Sequence, residues 1–339
     1  MAKVAINGFG RIGRLFFRQA FENKDIEVVA INDLGDIENL AYLLQYDTVY
    51  GRFKEEVKVS GKSLVVGGKK IEVLQEKDPG NLPWGKLKID VVVEATGVFD
   101  SFEKAKAHID VGAKRVVITA PAGDADGVDR ATVLVGVNED KLEKVILSSN
   151  ASCTTNAASP VIAVLAEKLG IQKAILSTVH GYTASQSLVD GPTRGHDFRR
   201  GRAAAQNIIP SSTGAAHAVA KAIKEMEGKF DGIALRVPVV AGSIADITLL
   251  AKRKTSVEEV NDILEKAANT PRWKGIMKVT KEQLVSSDIV GQPHGAIVDL
   301  SFTRVVDGDL VKVLSWYDNE FGYVSTLVKH VDSVGNYLK

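Results

Sequence analysis

Apolar residues recur along this 339-residue chain in two rhythms. In the first half they form short, nearly continuous runs at residues 4–7, 27–32, 91–97, 115–119, 133–136 and 145–147. Strands of a parallel sheet, buried on both faces, read this way. Helical spacing follows the first run through Leu15, Phe16, Gln19, Ala20 and Phe21, and returns over residues 101–112. Residues 55–76, with turn signals at Gly61 and Gly67-Gly68, predict a β-hairpin insertion. In the second half, a helical stretch at 157–169 precedes strand-like runs at 174–179, 232–235, 239–252, 296–304 and 311–316. Short connections and few helices predict an antiparallel meander there. Residues 319–334 read as an amphipathic helix that packs back on the N-terminal domain.

The first strand runs into Asn7-Gly8-Phe9-Gly10-Arg11-Ile12-Gly13, with a helix behind it. In that setting the first glycine allows the tight turn and the second admits a pyrophosphate close to the backbone. The third lets helix and strand pack closely. The second strand ends in Asp33, 20 residues beyond Gly13. A carboxylate there can accept from both ribose hydroxyls and repels a 2′-phosphate, so NAD is expected over NADP; capping the next helix is the alternative role. Thr96 and Gly97 end another strand, where such a sheet holds its cofactor. The expected fold is α/β, with a Rossmann dinucleotide-binding domain over residues 1–150. An α+β catalytic domain with a mostly antiparallel sheet is expected over 151–319.

Cysteine occurs once, in Ser149-Asn150-Ala151-Ser152-Cys153-Thr154-Thr155-Asn156. The run sits between a strand and a helix, where unpaired N–H groups and the dipole's positive end favour the reactive thiolate. An inert buried thiol is the alternative. Strand 174–179 delivers His180, a candidate base for that thiol, or else a structural histidine. Residues 181–207 form a long polar segment holding Arg194, Arg199, Arg200 and Arg202, suited to phosphate or to salt bridges between subunits. Ser211-Ser212-Thr213-Gly214 opens a helix and either caps it or holds an oxyanion. Arg236 ends a strand and is a second candidate phosphate ligand.

The totals exclude other classes. Basic residues number 43 and acidic ones 42, a net charge of +1, and no long Lys/Arg run points to nucleic acid. No apolar run reaches the roughly 18 residues that span a bilayer, and the N-terminus lacks a signal-peptide layout. A cytoplasmic protein is expected, with no membrane partner, no disulfide and no metal site.

These motifs, colinear over nearly the whole chain, resemble phosphorylating glyceraldehyde-3-phosphate dehydrogenase. The likeness includes the glycine turn, Asn32-Asp33, residues 149–156, His180 with Tyr182-Thr183, Arg202 to Pro210, Arg236-Val237-Pro238 and Trp316 to Glu320. It implies Cys153 as nucleophile and His180 as base. It implies a dinucleotide held by Arg11, Ile12, Asp33, Lys77 and Thr119, with Asn319 on the nicotinamide amide. Thr183 and Arg236 resemble the site for the substrate's own phosphate, with Arg200 between sites. Ser152, Thr154, Thr213 and Gly214 resemble the site for inorganic phosphate. A homotetramer is implied, its arginine-bearing loop at subunit contacts.

The chain departs from the family pattern at four places. Ala157 stands where a second cysteine is common, His217 where a lysine is usual and Phe321 where tryptophan is common. Residues 192–197 run one residue longer than in many relatives. Two alternatives remain: oxidation of erythrose 4-phosphate ending in hydrolysis, and a binding or scaffolding protein on a retired dehydrogenase fold.

Overall fold

The computed structural model describes residues 1–193 and 196–338. The chain forms two compact units. One holds residues 1–135, 139–151 and the chain from Val324 onward; the other holds 136–138 and 152–323.

The first unit is built on a nine-stranded sheet: β1 (Ala2–Asn7), β2 (Ile26–Asn32), β3 (Val57–Ser60), β4 (Ser63–Val66), β5 (Lys69–Leu74), β6 (Val91–Glu94), β7 (Arg115–Ile118), β8 (Arg130–Thr132) and β9 (Leu147–Ser149). Its order is β3-β4-β5-β2-β1-β6-β7-β9-β8. From β5 to β8 every pairing is parallel. The strands are apolar because both faces are covered; Val4, Ile6, Val91, Val92 and Val93 are wholly buried. Its helices are α1 (Arg11–Ala20), α2 (Ile37–Gln45), α3 (Trp84–Leu87), α4 (Phe102–Ala105) and α5 (Ala107–Asp110). Strand β1 has β2 on one side and β6 on the other, so the crossovers reverse there. A ligand crevice forms beyond the carboxyl ends of strands at such a point.

Three local expectations change. The 55–76 segment is two hairpins, β3–β4 and β4–β5, and β5 then joins β2 in the main sheet. The run at 133–136 is not a strand: β8 pairs only with the three residues of β9, and Gly136 turns the chain with φ +80°. Residues 101–112 divide into α4 and α5.

The second unit carries a seven-stranded mixed sheet: β10 (Ile171–Gly181), β11 (Ile209–Ser212), β12 (Phe230–Val237), β13 (Ser243–Ala251), β14 (Met277–Thr280), β15 (Ala296–Val306) and β16 (Leu310–Tyr317), in the order β11-β12-β10-β13-β16-β15-β14. Its helices are α6 (Cys153–Leu169), α7 (Ala215–Ala222), α8 (Val257–Ala268) and α9 (Ser286–Ile289). Helix α10 (Phe321–Asn336) lies mostly in the first unit, where Ser325 donates to Gln19. Four of the six pairings are antiparallel, but β10–β12 and β14–β15 are parallel. A parallel pair needs a crossover, and α7 and α9 lie in those connections, so the sheet is not a simple meander. Strand β13 alternates strictly between buried and half-buried residues. Its inner side chains, Ala245, Ile247 and Leu249, are buried; outer positions such as Ile175 and Ile233 are 57% and 50% exposed.

Candidate active site

In the first unit the glycine turn bounds a cavity of about 420 Å³ beyond β1, lined by Asn7, Gly8, Gly10, Asp33, Lys77 and Thr96 among others. Each glycine has a separate reason. Gly8 has φ +94° and a Cβ there would lie 2.6 Å from the Thr96 nitrogen; on Gly13 it would lie 2.1 Å from the Gly8 carbonyl oxygen. A Cβ on Gly10 would meet nothing within 4 Å, which leaves open space of the kind that a pyrophosphate would need. Helix α1 starts here without a side-chain cap, and a helix N-terminus favours an anion. Asp33 accepts from Phe9 N–H at 2.7 Å through Oδ2 and from Gly35 N–H at 2.8 Å through Oδ1. Each carboxylate oxygen keeps a second lone pair for a ribose hydroxyl. Capping of α2 falls instead to Asp36. These residues fit a dinucleotide.

The other cofactor candidates are placed as follows. The Arg11 side chain pairs with Asp47 and lies over Tyr50, 5.7 Å from its ring centre. Neither Arg11 nor Ile12 is among the residues that line the cavity. Gly97 takes φ +69° just past Thr96, and the Thr119 N–H donates to the Glu94 carbonyl.

In the second unit Cys153 is the first residue of α6. Ser152 caps that helix: its hydroxyl accepts from Thr155 N–H at 3.1 Å and lies 2.7 Å from the Thr155 hydroxyl. The Cys153 Sγ is 3.3 Å from His180 Nε2. Thr154, beside it, sends its hydroxyl to the buried Tyr317 phenol at 2.8 Å, and that phenol reaches Thr178 at 2.7 Å. Burial pushes the Cys153 thiol up, against the Arg236 charge and the Thr154 hydrogen bonds. The helix start alone does not make the resting thiolate that its sequence position predicts.

His180 stands near the end of β10, in register with Arg236 of β12. Its Nδ1 is 2.6 Å from the Gly181 carbonyl and 2.7 Å from Arg236 Nη1. Burial, then the charge of Arg236, lowers its pKa to about 3. The imidazole is therefore neutral at rest. Neutral imidazole at 3.3 Å from sulfur is suited to taking a proton.

Arg200 Nη2 donates to Ser211 Oγ at 2.6 Å, and Arg200 charge also reaches His180. Thr213 Oγ1 accepts from Ala215 N–H at 3.2 Å at the start of α7, and Gly214 is that helix's N-cap with open space where a Cβ would point. The Thr183 hydroxyl lies 2.9 Å from Ser185. Arg199 pairs with Asp197 and Arg202 with Asp190, so both are held in surface ion pairs. Arg194 lies outside the described residues. Asn319 Oδ1 accepts from Ser243 Oγ, which accepts from Gly181 N–H; this ties Asn319 to the His180 strand. Tyr317, Thr178 and Ser243 were not singled out by sequence. The alternation of β13 and β16 places Ser243 and Tyr317 inward, but nothing in that alternation says that one meets the His180 strand and the other the first turn of α6.

Comparison with known proteins agrees with this architecture. Residues 2–102 match the family described as glyceraldehyde 3-phosphate dehydrogenase, NAD binding domain, and residues 152–319 its C-terminal domain. The chain is 48% identical over 336 residues to glyceraldehyde-3-phosphate dehydrogenase of Clostridium pasteurianum, covering 98% of each. It is 48% identical to the Streptomyces coelicolor protein of that name over 99% of each chain. It is also 48% identical to glyceraldehyde-3-phosphate dehydrogenase 1 of Kluyveromyces lactis, over 98% of this chain and all of that one. With a dinucleotide cradle in one unit and a cysteine–histidine pair in the other, the chain belongs to the glyceraldehyde-3-phosphate dehydrogenase family of NAD-dependent oxidoreductases.

Proposed function

We propose that this chain converts D-glyceraldehyde 3-phosphate and inorganic phosphate to 1,3-bisphosphoglycerate with reduction of NAD, in the cytoplasm. The observation that carries the reading is Cys153 Sγ at 3.3 Å from His180 Nε2, with Arg236 on the other ring nitrogen. Bound NAD supplies the hydride acceptor. Cys153 sulfur adds to the aldehyde carbon and makes a thiohemiacetal. His180 Nε2 takes the hydroxyl proton as the carbon loses hydride, and a thioester remains. A phosphate oxygen then attacks the thioester carbon, the C–S bond breaks, and an acyl phosphate leaves with the thiolate restored. The Cys153 N–H at the start of α6 supports the oxyanion in both acyl steps.

Arg236 and Thr183 serve the substrate's phosphate. Thr213, Gly214 and Ser152 serve inorganic phosphate, with Arg200 between them. Thr154 contributes chiefly at the sulfur, since its hydroxyl is given to Tyr317. NAD is preferred over NADP because Asp33 opposes a 2′-phosphate. A homotetramer is supported by apolar surface: Leu188, Val189 and Phe198 in the arginine segment are exposed, as are Ile175 and Ile233 on the outer sheet face.

The test is NADH formation from glyceraldehyde 3-phosphate with and without inorganic phosphate, in wild type and Cys153→Ser. Phosphate-dependent turnover that vanishes in Cys153→Ser supports the reading. Turnover indifferent to phosphate points to a hydrolytic dehydrogenase instead.

A further inference from the structure

We propose that Arg236 sets which nitrogen of His180 carries the proton, and that an anion drawn onto Arg236 reverses the setting; the second half rests on Arg236 as ligand of the substrate's phosphate. Two groups converge on His180 Nδ1: the Gly181 carbonyl at 2.6 Å and Arg236 Nη1 at 2.7 Å. A carbonyl only accepts and a guanidinium only donates. Nδ1 meets the carbonyl with a proton and the guanidinium with a lone pair, so the two bonds exclude each other. Arg236 Nη1 has the same carbonyl as a second acceptor at 3.3 Å, so it keeps a partner either way. Arg236 Nε is buried with no partner among the described residues, and an arriving anion would satisfy it.

Exchange between the two states moves one proton between Nδ1 and Nε2 and leaves the charge unchanged. With Arg236 on Nδ1, the proton sits on Nε2 and points at sulfur 3.3 Å away. In that state Nε2 is a donor that favours thiolate and cannot accept the substrate's proton. With Nδ1–H on the Gly181 carbonyl, Nε2 presents a lone pair and is the base that the oxidation needs. The remaining groups around the ring do not supply the switch. Arg200 acts on it as a distant charge, and Tyr317 presents its ring, 5.9 Å away. The free enzyme rests in the donor state, and phosphate on Arg236 releases Nδ1. The base is thus armed only when a phosphorylated substrate is seated.

Nitrogen-15 spectra of histidine-labelled protein, with His180→Gln to assign the signal, read this directly. Resting wild type should show a pyridine-type Nδ1 and a pyrrole-type Nε2. Saturation with methyl phosphate, which has no carbonyl to react, should exchange them. Arg236→Met should show a pyrrole-type Nδ1 with or without methyl phosphate. A pyrrole-type Nδ1 in resting wild type overturns the proposal, and this arm needs no variant of Arg236 to fold. Calorimetry separates the two halves. Methyl phosphate that binds wild type without exchanging the signals overturns the anion switch. Methyl phosphate that fails to bind wild type overturns the phosphate reading, while the expected resting tautomer would still support the Arg236–His180 coupling.

Discussion

Glu94→Gln, which changes one oxygen to an NH2 group, should loosen the floor of the dinucleotide cavity. Glu94 is 2% exposed. Its Oε2 accepts from Asn7 Nδ2 and faces His108 Nε2 at 3.0 Å, while its Oε1 accepts from the Thr96 N–H and hydroxyl. His108 Nδ1 accepts from Trp84 Nε1 at 3.0 Å, so its proton is on Nε2 and it too donates to Glu94. Four donors therefore surround one carboxylate. An amide has one oxygen, so in either orientation its NH2 opposes two donors: Asn7 with His108, or the two of Thr96. The histidine cannot escape by changing tautomer without setting Nδ1–H against the indole N–H.

A hydrogen bond to a charged group contributes about 1.5–3 kcal/mol, and a stranded buried donor costs about 1–3 kcal/mol. With two such bonds lost, the expected destabilisation is about 3–5 kcal/mol, a large share of a typical folding free energy. Asn7 and Thr96 line the cavity, so NAD affinity should fall at least about tenfold, or about 1.4 kcal/mol. Urea unfolding gives the first number and calorimetric NAD titration the second. An unchanged urea midpoint together with unchanged affinity would refute the idea that this carboxylate holds the floor.

Stability should decline on acidification through the buried histidines. His180 and His330 both have pKa values lowered to about 3, burial being the main cause. Unfolded histidine titrates near 6.5, so the unfolded chain binds more protons below that pH. Each residue then removes up to about 1.4 kcal/mol per pH unit between about 6.5 and 3. The slope of unfolding free energy against pH should flatten in His180→Gln. Asp47 behaves as a carboxylate. Burial opposes its charge, but the Arg11 side chain and two backbone N–H groups outweigh that and hold its carboxyl below the usual range. That stability is present above about pH 4 and vanishes on further acidification. Any difference in Tm between wild type and Arg11→Met should therefore shrink at low pH. His180→Gln should lower kcat about 10²–10⁴-fold in the NADH assay with NAD binding unchanged. Arg200→Gln should raise KM for a phosphate more than it lowers kcat, and initial rates with each substrate varied will show which one.

The first unit was legible because its rules are local. Continuous apolar runs mark parallel strands, and Gly8, Gly10 and Gly13 sit between β1 and α1 as the mechanism of the motif requires. Cys153 at the head of α6 followed from a strand and a helix on either side of one short run. Helix α8 and strand β14 were missed, as were the parallel pairings of β12 and β14. Which strand a segment joins depends on crossovers tens of residues long, and periodicity carries no such information. The roles of the arginines were equally hidden. Arg199, Arg200 and Arg202 share one short segment and each pairs with an aspartate, yet Arg200 also turns to Ser211. Glu94 and His108 left no trace: each sits in an ordinary strand or helix, and apart from Thr96 the partners named for them lie 14 or more residues away.

The reactive thiol is set by opposing forces. Burial disfavours thiolate and imidazolium alike, so the usual pairing of the two is costly here. Arg236 lowers the thiol and lowers the histidine at once. A fixed cation beside the pair therefore favours neutral imidazole and works against the burial that still holds the thiol up. Such a site has positive charge in excess when free. A dianionic phosphate arriving there would neutralise that excess where a neutral aldehyde would not, so the reacting groups themselves should favour a phosphorylated aldehyde. Removing Arg236 should then cost the phosphorylated substrate far more than unphosphorylated glyceraldehyde. The ratio of their kcat/KM values in Arg236→Met is the measurement, and an unchanged ratio would break the link between the guanidinium and the choice of substrate.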